Sequence, residues 1–87
     1  MAPRRLFEYR VAQSQEGRIT FMDGQWAGSI PLQDASRHPK PFEYCAQVPE
    51  WLQAQGQKGW ELVSVTVEVA GGQNLTRLYL KRQLDSD

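Results

Sequence analysis

Hydrophobic positions along the chain change their period twice, and each change marks a new kind of element. Phe7, Tyr9 and Val11 alternate with Glu8 and Arg10 over residues 6–13, the period of two that a strand shows. Gln15-Glu16-Gly17 turns the chain, and Ile19 and Phe21 mark a second strand at 18–22. Asp23-Gly24 suits a two-residue hairpin turn, which requires positive φ at both positions. A returning strand is predicted at 25–30, anchored by Trp26. Residues 31–41 hold three prolines, Asp34, Ser36 and the only histidine, His38, and read as an irregular surface connection. Residues 1–5 read as a frayed end.

The period then lengthens. Tyr44, Cys45, Val48, Trp51, Leu52 and Gln55 recur at spacings of three and four, one stripe of a helix. Pro49 confines the secure helix to about residues 49–58, because proline lacks an amide donor and is tolerated only near a helix start. Gly59 is the predicted stop, in a left-handed conformation, with Trp60 folding back onto the last turn. From Trp60 the period returns to two. Val63, Val65, Val67 and Val69 form one row and Leu62, Ser64, Thr66 and Glu68 the other, with the valines taken to face the helix. Residues 70–74 are turn material. Residues 75–84 alternate again, with Leu78 and Leu80 opposed to Arg77, Tyr79 and Lys81. The predicted fold class is α+β, an antiparallel sheet of four to five strands with one helix packed on one face. Trp51, Gly59 and Trp60 are its structural residues, at the junction of helix and sheet.

Three short pieces carry a resemblance. Glu-Tyr-Arg-Val at 8–11, Gly-Trp-Glu-Leu-Val-Ser-Val at 59–65 and Tyr-Leu-Lys-Arg at 79–82 resemble a family of small bacterial and phage proteins known only as a domain of unknown function (number forty-one seventy-seven). The resemblance covers residues 6–12 and about 44–82. It implies a small α+β fold, in which 13–43 form a hairpin and loop added to the family's short form, and the length of 87 residues makes a single domain over 1–87. The resemblance implies no catalytic residue.

Composition narrows the function classes. A hydrophobic content of 40% with 23% charged residues is that of an ordinary soluble globular domain. Ten basic and ten acidic residues cancel, so the chain lacks the long-range field that draws a protein to nucleic acid or an anionic membrane. One cysteine permits no intrachain disulfide, and a reducing cytoplasm is the expected compartment. The first residues lack the apolar run of a signal peptide, and no stretch approaches the ~18–20 apolar residues of a membrane span.

Candidate chemistry is sparse. Cys45 and His38 lie seven residues apart, the residue types of a thiol nucleophile and its base. Cys45 falls on the apolar helical stripe, however, where a cysteine behaves as a small hydrophobe. One His and one Cys do not supply the three or four ligands of a metal site. Gly71-Gly72 precedes a strand, whereas a phosphate cradle needs a helix N-terminus. Glu8 and Glu61 suit cross-strand salt bridges with Arg10 or Lys81. No catalytic residue, metal or cofactor is therefore expected, although a small enzyme using the loop at 31–44 is one alternative.

Binding is the stronger expectation. With the valines toward the helix, Arg10, Arg77, Tyr79 and Lys81 are predicted on the opposite, open sheet face. Aromatic and basic residues on an open sheet stack bases in some single-strand binders. Glu8 and Glu68, expected on the same face, blunt its charge, so a nucleic-acid or nucleotide binder stands only as an alternative. The favoured reading is a non-enzymatic binding or assembly module that forms a homodimer, with an unidentified protein partner as a variant. Its expected interface residues are Trp26, Leu62 and Tyr79, since large aromatic residues dominate interfaces.

Overall fold

Three two-residue turns fold the chain back on itself. Glu16-Gly17, Asp23-Gly24 and Gly71-Gly72 all hold left-handed φ, between 52° and 80°. That is the geometry whose twist matches the strands it joins. The computed structural model describes residues 5–84, so the frayed end expected at 1–5 lies, except for Arg5, outside the described residues.

The strands are β1 (Leu6–Gln15), β2 (Arg18–Met22), β3 (Gln25–Trp26), β4 (Glu61–Ala70) and β5 (Gln73–Leu84). They form one five-stranded sheet in the order β3-β2-β1-β5-β4, with every neighbouring pair antiparallel. A short helix, α1 (Leu32–Ala35), and a 3₁₀ turn, Pro41–Tyr44, lie in the connection after β3. The main helix, α2 (Val48–Gln57), follows. The fold is the expected α+β sheet with one principal helix.

α2 begins and ends as its residues dictate. Pro49 sits in its first turn, where no amide donor is needed. At the other end the Trp60 amide donates to the Gln55 carbonyl and the Gly59 amide to the Gly56 carbonyl, both at 3.0 Å. This pair of bonds around a left-handed residue, Gly59 at φ 91°, is a Schellman cap. It releases the chain directly into β4.

The core is small. Trp51 and Trp60 pack on Ala12, Ile19, Leu78 and Leu80, with Met22, Ala27, Val48 and Leu52 around them. Ala12 and Ile19 are completely buried. Register decides which row of each strand the helix covers. Arg10 stands opposite Leu80 and Ala12 opposite Leu78, so Glu8, Arg10, Ala12 and Ser14 share the helix side. Phe7, Tyr9 and Val11 point to the open face.

Three sequence expectations change here. The strand predicted at 25–30 is only two residues long, because the Trp26 ring folds over Gly28 and its Nε1 donates to the Ile30 carbonyl at 2.7 Å. The chain then leaves the sheet, and the Ser29 amide bonds instead to the Tyr44 carbonyl at 2.8 Å. The valine row of β4 is not covered by the helix. A ten-residue helix spans about 15 Å, whereas a ten-residue strand spans about 33 Å. Val65, Val67 and Val69 therefore run past the helix and are 50%, 63% and 74% exposed. Finally, residues 41–44 form a 3₁₀ turn, so Cys45 lies in extended backbone after it rather than on a helical stripe.

Candidate interaction surface

The three motif pieces of the sequence meet at Trp60. The guanidinium carbons of Arg10 and Arg82 lie 4.4 and 4.6 Å from the centre of its ring, cation–π distances. Each arginine is held by further bonds. Arg10 donates to Gln55 Oε1 at 2.6 Å and to Asp23 Oδ2 at 3.2 Å. Arg82 Nε donates to Glu8 Oε1 at 2.6 Å, and its Nη1 to the Lys58 carbonyl at 3.3 Å. Arg10 is thus committed to the helix side and is absent from the open face where it was expected. The register opposite Leu80 is the cause, and Glu8, opposite Arg82, moves with it. The salt bridge of Glu8 is with Arg82, not with Arg10 or Lys81.

Arg77, Tyr79 and Lys81 do stand together on the open face, opposite Gln13, Val11 and Tyr9. Their charges are engaged. Arg77 bridges Glu68 across the β4–β5 hairpin. Lys81 stands opposite Glu61 and lies 5.0 Å from the Phe7 ring centre. Tyr9, expected on the face opposite Arg10 and so toward the helix, is 69% exposed and joins this open face. An open groove of about 600 Å³ at one end of the face is lined by Val11, Gln13, Phe21, Asp23, Gly24 and Arg77. It contains no nucleophile paired with a base.

The expected interface residues separate. Tyr79 is on the open face. Leu62 is not: it stands opposite Leu80, while Ser64 stands opposite Tyr79, so a bulge at Val63 shifts the alternation by one. Trp26 is half-buried, bonded to its own loop and edge-on to Phe21 at 5.7 Å between ring centres. It does not project as an anchor.

His38 and Cys45 do not meet as a catalytic pair. His38 packs edge-on against Tyr44 and shares a hydrogen bond with its hydroxyl at 3.2 Å. Cys45 is 3% exposed, and burial pushes its thiol pKa up against the opposing pull of the Arg18 guanidinium. A buried, protonated thiol is a poor nucleophile. Among the described residues, no group of three or more His, Cys, Asp or Glu is placed to hold a metal ion. No helix of the described residues is long and apolar enough to cross a membrane.

The most exposed apolar surface lies elsewhere. Every residue of β4 from 61 to 69 is exposed, including Leu62, Val63, Val65, Val67 and Val69. β4 is an edge strand paired only with β5. The opposite edge is covered: β3 is two residues long, and β2 bonds beyond it through Ile19 to the Ala46 carbonyl at 2.9 Å and bridges Arg18 to Gln47. Among the described residues, no loop or strand bonds to the outer side of β4. Comparisons with protein-family models, curated proteins and solved structures find no match.

Proposed function

We propose that the protein is a non-enzymatic assembly module of a reducing cytoplasm that self-associates through its sheet. The observation that carries this reading is the ten-residue edge strand β4, exposed along residues 61–69 with five large apolar side chains. A long apolar edge offers unpaired amides and carbonyls to another chain, and proteins that remain monomeric usually blunt such an edge with charge or cover it. Here the charged residues of β4 are Glu61 and Glu68, and Glu68 is already bridged by Arg77. The nucleic-acid alternative loses support, since Arg10 leaves the open face and Arg77 is neutralised. Kinship with the domain-of-unknown-function family is part of the same proposal. Glu8, Arg10, Gly59, Trp60 and Arg82, from the three pieces that resemble it, form one cluster.

Light scattering coupled to gel filtration tests the reading. The expected mass is twice the 10.0 kDa of the chain. A clean monomer at tens of micromolar would overturn it.

A further inference from the structure

We infer that β4 pairs with β4 of a second copy of this chain, antiparallel about a two-fold axis at Thr66, making one continuous ten-stranded sheet. This inference rests on the assembly reading above and names the surface and register of the contact.

The partner is argued from the strand's own sequence. In an antiparallel pair, residues directly opposite share a face. An axis at Thr66 sets Val65 opposite the partner's Val67 and Ser64 opposite the partner's Glu68. Four valines, two from each copy, then cluster on the helix side, in the region that α2 is too short to cover. On the open side the two Thr66 residues meet. The two Glu68 carboxylates fall four residues apart, about 14 Å along the strands, and each keeps its own Arg77.

Neighbouring registers fit less well. An axis at Val67 makes the two Glu68 residues diagonal neighbours, about 7–8 Å apart. An axis at Val65 drives Val67 against the Val63 bulge and Glu68 against Leu62, which belongs to the other face. A parallel, in-register contact sets Glu68 beside Glu68. The bulge and the Gly71-Gly72 turn bound the usable segment at 64–70, and about Thr66 the residues of it that stand opposite one another are 64–68. A specific interface clears about 1,000 Å² in total, and here the valine cluster beside the paired strands supplies apolar area beyond the strand edge itself.

Single cysteines at positions 65, 66, 67 and 79, in a chain carrying Cys45→Ala, are oxidised and the cross-linked dimer is measured. Thr66→Cys is expected to cross-link on the order of tenfold faster than the others, because disulfides need Cα atoms about 4.4–6.8 Å apart. In the chain that keeps Cys45, Val67→Lys is expected to give monomers by light scattering. A dimeric chain that cross-links best at 65, 67 or 79, or whose Val67→Lys variant stays dimeric, overturns the inference and leaves the assembly reading standing. A monomeric wild-type chain overturns the assembly reading itself.

Discussion

Trp60 organises its surroundings through two stacked guanidinium groups and a left-handed glycine before it. Gly59 at φ 91° permits the cap that turns α2 into β4, and a side chain there meets Arg82 only at ordinary contact distance, 3.4 Å. The cost of replacing it is therefore backbone strain. Gly59→Val is expected to destabilise the protein by about 1–3 kcal/mol. A change below ~0.5 kcal/mol in chemical denaturation, the range of ordinary surface substitutions, would count against the cap. Cys45 gives a second expectation. Burial holds its thiol protonated above the ordinary range, so the folded state gains from it below the unfolded thiol's pKa. That contribution is lost as pH rises from the unfolded value through the raised folded value, so stability does not vary with pH on its account near neutrality. Labelling of the native chain by a thiol reagent at neutral pH should be slow. Rapid labelling would mean an exposed or activated thiol. The sequence made Gly59, Trp51 and Trp60 legible because a period change and a glycine stop are local signals. Arg10 was not legible in the same way, since its place depends on a tryptophan fifty residues away.

At the scale of elements, alternation shows that a strand has two rows but not which row the helix takes. In β1 the more apolar row, Phe7, Tyr9 and Val11, points away from the helix, and the small Ala12 and Ser14 lie beneath it. Their size is the signal that was available: a helix that packs a tryptophan against a sheet approaches it closely only over small residues. The consequence can be measured by urea denaturation. Ala12→Leu should cost about 1–3 kcal/mol through overpacking, and Tyr9→Thr less than ~0.5 kcal/mol as a surface change. The reverse order would restore the row assignment that hydrophobicity alone suggests. Hairpins were legible at 15–17, 23–24 and 70–74 from turn chemistry. The bulge at Val63 was not, because nothing in Leu-Val-Ser-Val marks which residue is extra, and that one residue moved Leu62 to the other face.

At the scale of the whole molecule, the described residues measure 57 × 26 × 20 Å, long for their number because the β4–β5 hairpin extends beyond the helix. Its hydrophobic core cluster is gathered around Trp51 and Trp60, and Val65, Val67 and Val69 in the far part of the hairpin stay exposed. β1 pairs with β5 only as far as Thr76, so residues 68–70 and 73–75 form a two-stranded tip, and such a ribbon alone is marginal in water. The stability of that tip therefore depends on what pairs with β4. If a second copy does, folding and association are linked, and the unfolding midpoint depends on protein concentration. A tenfold rise in concentration then adds about 1.4 kcal/mol per dimer, or about 0.7 kcal/mol per protomer. For a chain of this size that raises the midpoint by about 3–6 °C. Val67→Lys should abolish the dependence and bring the midpoint to a single lower value at all concentrations, because the lysine charge cannot be buried in a valine cluster. A wild-type midpoint that stays fixed over a hundredfold range of concentration would mean that the hairpin is stable without a partner, and would refute the linkage between folding and assembly.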